Sequence, residues 1–185
     1  MRIIVLFLLS FQLLAQEVIW LKNTPLIRSY SSPRTTDLNN DGVDDVVMGG
    51  KSNGSFHLNK DGNGVFSGKV SLDNYGGFSS VRYGFNQLNI EKFKSIVLKI
   101  KGDGKNYQFR IKHKTTDYAS YITSFSSSGQ WQEIEIPINS MYPSFRGRKL
   151  DKPNFFHKSI EEVTFLIANK RNEDFILVID KIELR

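Results

Sequence analysis

Along Ser95–Lys101 the apolar residues Ile96, Leu98 and Ile100 face one way and Lys99 and Lys101 face the other. That two-residue period belongs to a strand with one buried face; a helix would scatter the same residues around its axis. The pattern returns where Tyr107, Phe109 and Ile111 alternate with Gln108, Arg110 and Lys112, and in 131–138, where Ile134, Ile136 and Ile138 oppose Glu133 and Glu135. Between the first two runs, Gly102-Asp103-Gly104-Lys105-Asn106 has turn chemistry, so the two are expected to pair as a hairpin. Pro137 places the third run at a sheet edge or strand end. The closing runs, 163–168 and 175–184, carry apolar residues on both parities in places, as strands buried on both faces do. Helix is expected only as single turns at 90–93 and 159–162. Many short strands with turns between them predict an all-β fold, a β-sandwich or jelly roll.

The stretch 45–83 adds paired glycines between short alternating segments: Gly49-Gly50, Gly68 and Gly76-Gly77. Glycine serves positive φ or close backbone approach, so these positions predict tight turns or packed crossings between strands. A binding scaffold fits this pattern better than an enzyme, because the chemistry-bearing residues are scattered. His57, His113 and His157 lie far apart, with no partner at metal spacing. Ser126-Ser127-Ser128 lacks the Gly-x-Ser-x-Gly elbow of a nucleophile and reads as a polar loop. Trp131 and Phe145 are expected in the core.

With 185 residues, 39% of them apolar, the chain can bury one sizeable core and is read as a single domain behind a leader. The absence of cysteine excludes a disulfide framework, a thiolate nucleophile and a cysteine zinc site. A net charge of +6 is moderate, and the basic residues Lys92, Lys94, Lys99, Lys101, Lys105, Arg110, Lys112 and Lys114 are spread as on a solvated sheet face. Nucleic-acid binding is therefore not expected. Met1-Arg2 followed by IIVLFLLSFQLLA reads as a signal peptide cleaved after Ala15, too short for stable membrane insertion. It predicts a secreted or periplasmic protein. The expected organisation is a signal peptide at 1–15, an N-terminal extension with an acidic loop at 16–44, and the sandwich domain at 45–185.

In that extension Asp37, Asn39 and Asp41 place oxygen side chains at alternate positions, followed by Gly42 and a further carboxylate at Asp45. This is oxygen-ligand spacing for calcium, and the loop is similar to those of FG-GAP repeats. Met48 stands where an EF-hand would place its bidentate glutamate. Calcium binding by Asp37, Asn39, Asp41 and Asp45, and a plain exposed Asn/Asp/Gly turn, are the two readings of this segment.

The arrangement of motifs resembles the complex I intermediate-associated protein 30 family. The residues that carry the resemblance are Asp45-Val46-Val47-Met48-Gly49-Gly50-Lys51-Ser52, Phe66-Ser67-Gly68, Asn74-Tyr75-Gly76-Gly77-Phe78, Gly102-Asp103-Gly104-Lys105-Asn106-Tyr107, Trp131, and Phe145-Arg146-Gly147-Arg148. The resemblance implies a galactose-binding-like β-sandwich and a chaperone-like assembly role for respiratory complex I (NADH:ubiquinone oxidoreductase), without catalysis. It marks Asp45, Met48, Gly49, Gly50, Gly76, Gly77 and Gly147 as structural positions. Arg82, Tyr121, Tyr142 and Arg146 are the candidate binding residues, because aromatic and arginine side chains in loops anchor protein partners or stack on sugars. Arg82 and Arg146 are expected either as ion pairs with Asp103 or Asp45 or as the anion anchor of a ligand groove. A protein partner is the first expectation and a glycan the second.

Overall fold

A computed structural model describes residues 50–185, together with the backbone of 17–21, 28–30, 35–36 and 45–46. Fifteen strands follow in chain order: β1 (Glu17–Leu21), β2 (Arg28–Tyr30), β3 (Thr35–Thr36), β4 (Asp45–Val46), β5 (Asn53–Leu58), β6 (Gly64–Val70), β7 (Ser79–Asn89), β8 (Ser95–Lys101), β9 (Asn106–Lys112), β10 (Ser120–Ser126), β11 (Trp131–Pro137), β12 (Tyr142–Phe145), β13 (Arg148–Lys149), β14 (Ser159–Ile167) and β15 (Glu173–Leu184). Thirteen of them form two antiparallel sheets, and β3 and β4 pair separately as a two-stranded ribbon. One runs β11-β8-β15-β6-β5, with β1 also on β15, and the other runs β13-β12-β10-β9-β14-β7-β2. The described residues include no α-helix, only 3-10 turns at Asp73–Tyr75 and Ile138–Ser140. The all-β sandwich read from the alternation is the observed fold.

The core lies between the sheets, where Ile96, Leu98 and Ile100 of one meet Tyr107, Phe109 and Ile111 of the other. The expected hairpin of these two runs is therefore corrected. β8 pairs with β11 and β15, whereas β9 pairs with β10 and β14, so the glycine turn carries the chain from one sheet to the other. Both runs have a strong apolar face, and each buries it against the opposite sheet. The expected helical turn at 159–162 is likewise strand, the start of β14, while 90–93 does turn, closed by Phe93 N–H donating to Ile90 C=O at 3.0 Å.

Two such crossings lie side by side. Gly102 N–H donates to Ser128 C=O at 2.9 Å and Ser127 N–H to Lys105 C=O at 2.9 Å, so the β8–β9 and β10–β11 connections are bonded to each other. Asp103 ties them to both sheets: its carboxylate accepts from Ile176 N–H at 2.9 Å, Tyr107 O–H at 3.0 Å and Lys105 Nζ at 2.8 Å. Asp103 is thus paired with Lys105, not with Arg82 or Arg146. Burial would raise its pKa, but these three donors together outweigh burial and hold the carboxyl below the usual range. A pKa lowered on folding contributes stability above the unfolded-state value, and that contribution is lost as pH falls through the folded-state value. Asp103→Asn sets an amide N–H₂ against donors and should cost about 1–3 kcal/mol at neutral pH. Thermal melts should show this deficit narrowing from about pH 5 to about pH 3; a pH-independent deficit would remove the electrostatic account.

The glycine motifs serve close packing. Ser52, buried just after Gly50, accepts from Ser71 N–H at 3.0 Å and from Gly77 N–H at 3.4 Å and donates to Ser71 C=O at 3.0 Å. This joins the Gly50 turn (φ 143°) to the Gly76-Gly77 turn, where a Cβ on Gly76 would lie 2.3 Å from Ser71 O. Met48 and Gly49 lie outside the described residues, as do residues 1–15 and the loop residues Asp37, Asn39 and Asp41. The loop is bracketed by the β3–β4 ribbon, in which Thr36 pairs with Asp45. Backbone ahead of residue 50 joins both sheets, at 17–21 as β1 on β15 and at 28–30 as β2 on β7.

Candidate functional site: a groove on the seven-stranded sheet

The outward face of the seven-stranded sheet carries a groove of about 770 Å³. Register explains its lining. Thr164 on β14 pairs with Arg82 on β7 and with Arg110 on β9, and Arg110 pairs in turn with Ile122, which pairs with Tyr142. Directly paired residues project to the same face, so Arg82, Thr164 and Arg110 form one row across three strands. The next row sets Glu162 beside Lys112, and the row on the other side sets Leu166 between Ser80 and Gln108. β14 is consequently buried on both faces: its inward residues enter the core, while Glu162, Thr164 and Leu166 form the groove floor.

Around the floor stand Arg82, Arg110, Lys112 and Arg146 against Asp117 and Glu162, so cations prevail. Arg110 donates to Gln108 Oε1 from Nε at 3.2 Å and Nη2 at 2.7 Å. Burial first, then the charge of Arg82, pushes its pKa down to about 10, which leaves it a cation at neutral pH. Thr164 Oγ1 donates to Glu162 Oε1 at 3.2 Å. One rim is aromatic: Tyr118 meets Phe145 edge-on, with centroids 5.3 Å apart, and both are exposed, at 57% and 37%. Phe145 sits outside the core because β12 turns back into β13 immediately after it. Phe145 pairs with Arg148, and the intervening Arg146 (φ 48°) and Gly147 (φ 78°) both hold positive φ, as a two-residue type I′ hairpin turn requires. Trp131 also departs from its expected burial: it opens edge strand β11 on the other sheet and is 45% exposed.

The structure brings Arg82 and Arg146 together in the groove. Tyr142 shares the Arg110 row, half-buried, with Lys149 Nζ 5.2 Å from its ring centroid. Tyr121 faces the other way, into the core, where it meets Phe155 edge-on and its hydroxyl lies 3.2 Å from His157 Nε2. His157 in turn stacks on His113, with centroids 4.2 Å apart and planes 2° apart, so two histidines read as isolated are neighbours. Among the described residues no group of three or more His, Cys, Asp or Glu could hold a metal ion. Arg110 and Thr164 were not singled out from the sequence. The available signal was an arginine in a run otherwise built of lysines, since arginine is favoured where planar, bidentate contact matters.

The model of the family described as complex I intermediate-associated protein 30 matches residues 30–179. The chain belongs to the complex I intermediate-associated protein 30 family. A curated relative, complex I intermediate-associated protein 30, mitochondrial, from Drosophila melanogaster, is 23% identical over 159 residues. That alignment takes in 73% of this chain and 54% of the relative, so the chain spans about half the relative's length. The sandwich is similar to a family 11 carbohydrate-binding module from Clostridium thermocellum solved with a β-1,3-1,4-mixed-linked tetrasaccharide: TM-score 0.64, 19% identity, 91% of this chain and 94% of that one. A family 11 module of a cellulosomal cellulase from the same organism gives 0.61 and 18%, over 92% and 94%. At such identities the likeness concerns the fold. Family and fold together point to a non-catalytic binding module. The secreted or periplasmic location read from residues 1–15 is corrected by the relative, which is named as mitochondrial. Among the described residues no helix is long and apolar enough to cross a membrane.

Proposed function

We propose that this chain is a non-catalytic binding module that holds a protein partner in the groove of the seven-stranded sheet, acting in the assembly of respiratory complex I. The observation that carries the reading is the groove itself, a concave floor on β14 walled by cationic side chains and closed at one end by an aromatic rim. Partner surfaces are gripped where arginine and aromatic side chains cluster around a sheltered centre. The family description supplies the partner class. The test is affinity capture of the tagged chain from solubilised mitochondria, followed by immunoblotting for named complex I subunits on native gels. Co-migration with a complex I subassembly is expected; its absence, with the chain folded by thermal melt, overturns the assembly reading.

A second reading, an oligosaccharide in the same groove, is favoured by the edge-on pair of Tyr118 and Phe145, because exposed aromatic rings stack on sugars. A glycan array decides it: saturable signal that Tyr118→Ala reduces by about tenfold supports sugar binding, and a blank array overturns it.

A further inference from the structure

The outer corner of the seven-stranded sheet carries cations that no carboxylate of the described residues neutralises. β13 is the edge strand of that sheet, and the Arg146-Gly147 turn is the tip of the β12–β13 hairpin. Past the hairpin, Leu150 N–H donates to Pro143 C=O at 2.9 Å, which holds the returning chain beside β12. Arg146, Arg148, Lys149 and Lys152 are all exposed, and none of them forms an ion pair among the described residues. Elsewhere pairing is common: Lys99, Lys105, Lys158, Lys181, Arg171 and Arg185 each reach a carboxylate. The acidic residues of the adjoining stretches 112–120 and 142–152 are Asp117, whose Oδ2 accepts from Lys114 N–H at 3.0 Å, and exposed Asp151. Cations therefore outnumber acids at this corner.

Three of the four lie over aromatic rings. Arg146 Cζ is 5.2 Å from the centroid of Phe145, Lys149 Nζ is at the same distance from Tyr142, and Lys152 Nζ is 5.1 Å from Tyr118, to whose hydroxyl it donates at 2.6 Å. We propose that this corner docks on the surface of a bilayer containing anionic phospholipid, with the rings of Phe145 and Tyr118 at head-group depth and the four cations on the lipid anions. The inference goes beyond the groove reading and stands whatever fills the groove, since Arg148, Lys149 and Lys152 do not line it. Charge complementarity and shape carry it. Aromatic side chains prefer the head-group layer, and lysine and arginine beside them are drawn to anionic lipid. A hairpin tip is convex and meets a flat surface. An acidic protein segment would answer the cations but leave the exposed rings in water. A single-stranded nucleic acid needs a basic groove and rings free for stacking bases, whereas here a cation lies over each ring.

The test floats the full chain with vesicles of phosphatidylcholine alone or mixed equally with phosphatidylserine. Every variant keeps the apolar residues 1–15, so the reading is the gain in affinity that phosphatidylserine brings. The parent should gain about a hundredfold, and raised ionic strength should abolish the gain. Arg148→Gln combined with Lys149→Gln should cut the gain about twentyfold. Phe145→Ala should weaken binding to the mixed vesicles about fivefold. Lys60→Gln combined with Lys69→Gln removes the same charge from exposed positions of the other sheet and should stay within about twofold of the parent. If the Arg148/Lys149 variant does not fold by thermal melt, Lys152→Gln carries the comparison, with a cut of about fivefold. An unchanged gain in these variants overturns the proposal, as does an equal cut by the Lys60/Lys69 variant or binding indifferent to Phe145→Ala. Oligoglutamate or oligothymidylate that displaces the chain from mixed vesicles at equal affinity would assign the corner to an acidic protein or a nucleic acid, and would overturn it too.

Discussion

Gly68→Ala should melt far below the parent chain, by about 3 kcal/mol or on the order of 6–12 °C. Gly68 pairs with Gly54 where β5 crosses close to β6, and a Cβ there would lie 2.3 Å from Asn53 O and 2.8 Å from Gly54 Cα. Both obstacles are backbone, so no rotamer change relieves them. β5 would have to move away from β6, and Gly68 is also opposite Phe175, whose ring packs 4.7 Å from that of Phe66. Two comparison variants separate this cause from glycine's flexibility. Gly129→Ala, with open space around it, should stay within about 0.5 kcal/mol of the parent. Gly104→Ala, also in open space but at φ 84°, should cost about 1 kcal/mol from its backbone conformation alone. Differential scanning calorimetry of the three decides the matter, and a Gly68→Ala loss no larger than that of Gly104→Ala would remove the close-approach explanation.

The second large effect belongs to the middle of the core. Phe109 is fully buried, and its ring lies 5.3 Å from Phe165 at a 59° tilt, with Phe125 edge-on to Phe165 at 6.4 Å. Phe109→Ala removes the ring from the cluster inside the seven-stranded sheet and leaves a cavity between two sheets whose backbones are hydrogen-bonded and cannot collapse freely. A loss of about 4 kcal/mol is expected, against about 0.5 kcal/mol or less for Phe156→Ala, whose ring is 67% exposed. Urea denaturation should read it as a lower midpoint with an unchanged slope. A Phe109→Ala loss near 1 kcal/mol would mean that the core repacks around the gap.

Alternation in the sequence made the strands legible. It matched β8 over its whole length and β11 to within a residue, because a side-chain period of two survives any tertiary setting. What it could not carry was which sheet each strand joins. Ile96, Leu98 and Ile100 have the same pattern whether they lie beside Phe109 in one sheet or across the core from it, and only the pairings of β11, β14 and β15 decide. The same limit hid half of the groove. Arg82 and Arg146 stood out by themselves, but Arg110 reads identically on a convex face and on a concave floor. Its meaning comes from Thr164, which reaches it only through the β9–β14 register. The stacking of His113 on His157 was invisible for the same reason, since 44 residues separate them and both contacts are made by tertiary packing.

The partition of the β15 edge has a practical consequence. β6 pairs with β15 from Glu173 to Ile179, and β1 takes over from Lys181 to Leu184. The family match begins at residue 30, beyond β1, so a fragment trimmed to that boundary, or to residue 45, would bare the second half of a strand carrying Ile182 and Leu184. An uncapped apolar edge recruits whatever extended backbone is available. In the full chain, two copies trading their β1 segments would keep this edge covered through the same β1–β15 pairing, an exchange that the trimmed fragment cannot make.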